Sequence, residues 1–236
     1  MSDLSFVLLP GAGGSAWYWH RVVPELRRHG HDAIAVDLPA ADDAAGLGEY
    51  ADAAVDAISR QGVHGEHQKI ILVAQSMAGF FAPLVCKRVP VSMLVLMNAM
   101  IPAPGETPGE WWANTGQPEA MRQNDEREGR SATAEFDLLN YFFHDVPQPV
   151  TDYALAHEIR QSETVFGSRL AVTAWPDVAT RVLVGRDDRF FPVAFQRRVA
   201  EQRLGIVPDE IAGGHLVALS RPDEVARRLH DYASGL

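Results

Sequence analysis

With 236 residues, 47% of them apolar and 22% charged, the chain has ordinary globular composition and enough material for one large domain, or one domain carrying an insertion. The net charge of −10, with Lys69 and Lys87 as the only lysines and no basic run, excludes a nucleic-acid or acidic-membrane partner, since both demand clustered Lys and Arg. A single cysteine, Cys86, excludes an internal disulfide and a cysteine-based metal cluster.

Short apolar runs alternate with longer amphipathic segments. Phe6–Leu9 reads as a first strand that ends in Pro10-Gly11-Ala12-Gly13-Gly14. Ser15 then caps a helix with Trp19, Val22, Val23 and Leu26 at helical spacing, and Gly30 closes it. Ala33–Val36 is the second strand and Tyr50–Arg60 its helix. Ile70–Ala74 is the third strand and Ser76–Arg88 its helix, with a kink expected where the Pro83 ring meets the Gly79 carbonyl. Met93–Met97 is the fourth strand. From about residue 99 to 175 the rhythm breaks: a charged patch at Asn124–Glu128 and two helices are expected, one over Thr133–Phe143 and one from Pro149 through Ile159. It resumes with a strand at Arg181–Val184, a helix over Val193–Leu204, a strand near Ile206–Ile211 and a last helix over Pro222–Tyr232. The predicted fold class is α/β: a doubly wound, mainly parallel six-stranded sheet, its core formed by residues 1–98 and 176–236, with a helical cap of residues 99–175 inserted after the fourth strand. No run approaches the roughly 18 apolar residues of a membrane span. The opening MSDLSFVLLPGAGG also lacks the basic n-region of a signal peptide, so a soluble, cytoplasmic protein with no membrane partner is expected.

In such sheets ligands bind outside the carboxyl ends of the strands. Four loops fall there: Pro10–Ser15, Gln75–Met77, Gly185–Pro192 and Ala212–Leu216. They carry, in chain order, Ser76, the adjacent carboxylates Asp187 and Asp188, and His215. Taken alone, Ser76 in VAQSMAG reads more readily as a helix N-cap than as a nucleophile. GAGG is not a P-loop, because no Gly-Lys-Ser/Thr follows, and not a dinucleotide fingerprint, because Ala16 stands where the third glycine is needed. His64 and His67, beside Glu66, lack the further ligands of a metal site, so no metal and no other cofactor is expected.

Read together, LLPGAGGSAWYW, DLP at Asp37, AQSMAG, VGRDDRFFP and GGH resemble the α/β-hydrolase family, and within it the small capped serine esterases of the plant-type methylesterase and hydroxynitrile lyase branch. The resemblance implies that Ser76 is a nucleophile on a strand-to-helix elbow, with Ala74 and Ala78 where the family usually has glycine. It makes His215 the base and then the acid. It selects Asp188, three residues beyond Gly185, to orient the histidine, and leaves Asp187 to cap a turn or pair with Arg186 or Arg189. An oxyanion hole is implied from two backbone amides, Met77 at the start of the helix after Ser76 and Ala12 in the first loop, where Pro10-Gly11 replaces the family's His-Gly.

Aromatic residues collect in the cap. Trp17, Trp111, Trp112, Phe142, Phe143, His144 and Phe191 are expected to line the substrate pocket; Tyr141, Trp175, Phe190, Met77, Met97 and Met100 share that region, and many of this set must simply be core. The expected function is hydrolysis of a small, largely apolar carboxylic ester through an acyl-enzyme, with that ester as the partner and the oligomeric state open, a homodimer included. C–C bond hydrolysis, thioester hydrolysis and lyase chemistry use the same scaffold. A lyase of the similar branch would be expected to carry a lysine near the serine, and the cap has none. A ligand-binding receptor with a slow or vestigial triad is the reading from another class.

Overall fold

The computed structural model describes residues 4–60, 69–130 and 136–236. Six strands, β1 (Leu4–Leu9), β2 (Asp32–Ala35), β3 (Lys69–Gln75), β4 (Met93–Met97), β5 (Ala179–Gly185) and β6 (Asp209–Ile211), form one sheet in the order β2-β1-β3-β4-β5-β6. Every pairing is parallel, with Leu8 opposite Val73, Ala74 opposite Leu96, and Leu96 opposite Val182. The chain leaves β1 toward β2 and returns to the other side of β1 as β3. That reversal opens a crevice between the loops after β1 and β3, where ligands of doubly wound sheets bind.

Residues alternate between the two faces of each strand, and both faces are covered. Val7, Leu9, Leu72, Ala74, Leu94, Leu96 and Val184 belong to one buried cluster with α2 (Leu47–Arg60), α3 (Ala78–Cys86) and α8 (Val193–Leu204). Phe6, Leu8, Ile71, Val73, Val95, Met97 and Leu183 form a second with α1 (Val22–Arg28), α9 (Val217–Ser220) and α10 (Pro222–Ala233). This double burial is why the strands read as unbroken apolar runs.

Between β4 and β5 lie α4 (Pro108–Thr115), α5 (Gln117–Arg127), a π-helix (Leu139–Phe143), α6 (Gln148–Ala156) and α7 (Thr164–Gly167). Trp111, Val165 and Leu170 sink into the same buried cluster as α2 and α3. The insertion is tied down by Glu106, which accepts from Arg203 of α8, from Asn114 (2.8 Å) and from the Ala103 amide (3.0 Å).

Several expectations need correction. Helices α4 and α5 were not anticipated; α4 is announced by Thr107-Pro108-Gly109-Glu110, a capping box with both reciprocal hydrogen bonds made. Ser15 does cap helical structure, accepting from the Trp17 amide, but the first piece is a 3-10 turn at Ala16–Trp19 and α1 follows separately. The helix after β3 begins at Ala78 rather than Ser76 and runs through Pro83. Of the helix expected over Thr133–Phe143, residues 133–135 lie outside the described residues, as do His64 and His67; Phe136 and Asp137 are not helical, and Leu139–Phe143 is the π-helix. The helix expected through Ile159 stops at Ala156, and β6 is only three residues long. Among the described residues no helix is long and apolar enough to cross a membrane.

At the far side of the sheet, His31 Nε2 and His230 Nδ1 share a hydrogen bond of 2.8 Å, and His29 stacks on His230. Burial, followed by the adjacent His230 and His29, pulls His31 below the ordinary histidine value. The folded state therefore prefers His31 neutral. Its contribution to stability is complete above the unfolded-chain value of about 6.5 and declines as pH falls from there toward the lower folded value. The thermal midpoint is expected to drop between pH 7 and pH 5, with a shallower drop in His31→Gln. Parallel pH profiles for the two proteins would contradict this.

Candidate active site

Ser76 joins the end of β3 to the start of α3 and has φ of 52°, in the left-handed region. Small neighbours permit the turn. A Cβ on Gly79 would lie 2.0 Å from the Met100 carbonyl oxygen, and one on Gly11 would lie 2.8 Å from the Ser76 Cβ. Ala74 and Ala78 are fully buried beside it. The Ser76 carbonyl accepts from the Gly79 amide (3.1 Å) and the Met100 amide (2.9 Å).

His215 Nε2 lies 3.0 Å from Ser76 Oγ, and His215 Nδ1 lies 2.8 Å from Asp188 Oδ2. The other carboxylate oxygen of Asp188 accepts from the amides of Phe190 (2.9 Å) and Phe191 (2.8 Å), which fixes its plane. Asp187 does not reach the ring; its Oδ2 accepts from the Gly213 amide at 2.9 Å. His215 is 1% exposed, and the rings of Phe142, Phe190 and Phe191 stand nearly perpendicular to it at 4.9, 5.2 and 4.9 Å. The loop carrying His215 is pinned further. Asp145 Oδ2 accepts from the Gly214 amide at 2.9 Å.

Asn98, which the sequence reading passed over, holds the same loop from the opposite side. It is fully buried with φ of 44°. Its Nδ2 donates to the Gly214 and His215 carbonyls, each at 3.0 Å, and its Oδ1 accepts from the Gly185 amide at 2.6 Å. The available signal was a polar residue directly after an unbroken apolar strand, at the carboxyl end of a parallel sheet.

Two amides face the crevice without a hydrogen-bond partner among the described residues: Ala12, in the turn after β1, and Met77, ahead of α3. The positive end of α3 lies behind the second. Ser76, His215, Ala12 and Met77 all open on one cavity of about 650 Å³ with largely apolar walls. Of the residues expected to line it, Trp17, Trp112, Phe142 and Phe143 do so. Trp111 does not. It is fully buried beneath α4, packed on Phe191 and Phe195, with its indole N–H donating to the Ile101 carbonyl. Phe191 is also fully buried behind His215, and its neighbour Phe190 takes the wall position. His144 turns away to the His215 loop, where its Nε2 would lie 2.6 Å from a Cβ on Gly214, and burial lowers its basicity. Met77 and Met100 line the cavity, whereas Met97, Tyr141 and Trp175 are not among its walls. The reading missed Tyr153, Leu155, Ile159 and Gln161, which come from α6 and the segment after it.

The sequence profile described as the alpha/beta hydrolase family matches residues 6–228. The chain belongs to the alpha/beta hydrolase family. Among curated relatives of this alpha/beta hydrolase, a probable esterase PIR7A of Oryza sativa subsp. indica is 28% identical over 252 residues, covering 93% of each chain. Polyneuridine aldehyde esterase of Rauvolfia serpentina is 26% identical over 254 residues, covering 96% of this chain and 94% of its own. The crystal structure of a polyneuridine aldehyde esterase superposes with a TM-score of 0.79 at 21% identity, over 98% of this chain and 100% of that one, and shares the fold.

In this alpha/beta hydrolase, truncating Asn98 removes the side-chain partner of the buried Gly214 carbonyl and Gly185 amide and leaves the His215 carbonyl only a long hydrogen bond from Gln75 Nε2, at 3.5 Å. Asn98→Ala is expected to lower the unfolding free energy by about 2–4 kcal/mol, measured by denaturant titration. A loss below about 1 kcal/mol would contradict the role given to its side chain.

Proposed function

We propose that the chain is a carboxylic ester hydrolase for a small, largely apolar ester, working through an acyl-enzyme on Ser76. The observation that carries the reading is the relay of Ser76 Oγ, His215 and Asp188 at 3.0 and 2.8 Å, set beside two unpartnered amides on one apolar cavity. The esterase names of relatives matched over nearly their whole length support it.

The chemistry follows from the donors and acceptors. Asp188 accepts the hydrogen bond from His215 Nδ1–H, which leaves Nε2 as the lone-pair nitrogen facing Ser76 Oγ. As Oγ bonds to the ester carbonyl carbon, its proton passes to Nε2. The carbonyl oxygen becomes an oxyanion between the Ala12 and Met77 amides. Collapse expels the alcohol, which takes the proton from Nε2. Water, deprotonated by the same nitrogen, then repeats the sequence on the acyl-enzyme and frees the acid. Asp188 keeps the tautomer and steadies the imidazolium. Residues 99–175 act as the cap, supplying Trp112, Phe142, Phe143, Tyr153 and Ile159 to the wall. The wall is mostly apolar, with His157, Glu158 and Gln161 among its polar members, so selection rests chiefly on shape and apolar burial.

A chain-length series of p-nitrophenyl esters tests this with wild type and Ser76→Ala side by side. Wild type is expected to turn over the series with one preferred length, and Ser76→Ala to lose on the order of 10⁶ in kcat. Residual turnover within about tenfold of wild type would overturn Ser76 as nucleophile. Lack of turnover by folded wild type would turn the reading toward other chemistry on the scaffold or toward a receptor.

A further inference from the structure

The Ala12 amide stands in a loop whose ends are packed, Gly11 against Gln75 and Ser76 and Gly14 against Leu38 and Ala40, but whose middle residues Ala12 and Gly13 are not buried. Gly14 N donates to the Gly11 carbonyl (3.1 Å), and Gly13 and Gly14 have φ of 82° and 59°. The Gly14 carbonyl is taken by the Leu38 amide at 2.7 Å. Gly13 is not tightly packed: the nearest atom a Cβ there would meet is the Ile159 carbonyl oxygen, at an ordinary contact distance of 3.7 Å. Among the described residues the Ala12–Gly13 peptide is held by the hydrogen bond from the Gly13 amide to Gln161 Oε1 at 2.9 Å.

Gln161 is itself rigidly presented. Its Nε2 donates to the hydroxyl of Tyr50 (2.9 Å), a fully buried residue of α2, and to the Ser162 carbonyl (3.0 Å). The flanking residues are stitched to the loop before α2: Arg160 to Asp43 (2.9 Å), the Ser162 amide to the Ala40 carbonyl (2.7 Å), and Ser162 Oγ to Asp43 (2.8 Å). Glycine peptides rotate freely unless an outside group fixes them. The Ala12–Gly13 peptide plane is fixed by a side chain delivered from the insertion.

We propose that Gln161 is a positioning residue of the oxyanion hole: it occupies the Gly13 amide and holds the Ala12–Gly13 peptide, and together with the Gly14-to-Gly11 hydrogen bond on the preceding Gly11–Ala12 peptide it leaves the Ala12 N–H as the loop donor toward the carbonyl over Ser76. This rests on the ester-hydrolase reading above. Through Gln161 the insertion reaches the reacting centre as well as the pocket wall. Charge appears on the oxygen only as the reaction proceeds, so the effect belongs to kcat and not to KM.

The test compares wild type, Gln161→Leu and Tyr50→Phe in three measurements: p-nitrophenyl ester kinetics, inhibition by an apolar trifluoromethyl ketone, and inhibition by the matching methyl ketone. The serine oxygen adds to the first ketone to give a tetrahedral oxyanion, whereas the second binds without adding. Gln161→Leu is expected to lower kcat and trifluoromethyl ketone affinity in step, by roughly 10- to 100-fold, short of the 10²–10³ for deleting a donor outright. KM and methyl ketone affinity are expected to stay within about twofold. Tyr50→Phe, which removes one of the two acceptors of the Gln161 nitrogen, is expected to give the same pattern at smaller size, and it decides the matter if Gln161→Leu does not fold. Equal losses for both ketones, or unchanged kcat in the variants, would overturn the proposal while leaving the hydrolase reading intact. Absence of Ser76-dependent turnover in wild type would instead overturn that reading, and the role of Gln161 with it.

Discussion

Two non-glycine residues occupy the left-handed backbone region at the ends of adjacent strands, Ser76 after β3 and Asn98 after β4, and the site is built on how they lock together. The Ser76 amide donates to the Met97 carbonyl (3.3 Å), and its carbonyl accepts from the Met100 amide (2.9 Å), so the segment containing Asn98 grips the serine from both sides. Asn98 then carries that constraint across to the His215 loop through its side chain. Each left-handed residue costs of order 1–3 kcal/mol, and such strain persists only where surrounding structure over-determines it. Here the over-determination comes from complete burial, from Gly79 lying against the Met100 carbonyl, and from the two-sided backbone bonds. The serine oxygen consequently stands where a relaxed helix start would not place it.

The histidine faces a different problem, since its ring must be held and kept dry. Three phenylalanine rings exclude water around it, and a low local dielectric strengthens the hydrogen bonds at 2.8 and 3.0 Å. The loop beneath is flexible by sequence, Gly213-Gly214, yet carboxylates of Asp187 and Asp145 take its amides while Asn98 takes its carbonyls. Of these clamps, Asp145 comes from the insertion. With Gln161 on the opposite loop, the segment between β4 and β5 touches both halves of the site as structure, beyond roofing the cavity.

The strands were legible because a parallel sheet covered on both faces writes continuous apolar runs, and chain order placed Ser76, Asp188 and His215 at strand ends. The insertion was less legible for identifiable reasons. The helix α5 is strongly charged with little apolar periodicity, and α4 announces itself only by its capping box. Trp111, Phe191 and His144 went to the wrong place because composition says that aromatic residues gather near a pocket, whereas facing depends on helix phase and chain direction. Phe190 and Phe191 differ by one residue and serve opposite sides of the wall. Asn98 and Gln161 act through long-range hydrogen bonds to backbone, Asn98 to residues 87, 116 and 117 positions away and Gln161 to one 148 positions away, and no local pattern encodes such pairings.

Under the proposed function, Ser76 is a nucleophile made reactive by His215. The most direct measurement is covalent labelling with an alkyl fluorophosphonate, followed by intact mass and peptide mapping of wild type and His215→Ala. One phosphonyl group per chain is expected on the peptide holding Ser76, with fluoride released, and labelling slowed by orders of magnitude in His215→Ala. Modification at another residue, or equal rates in the two proteins, would contradict it.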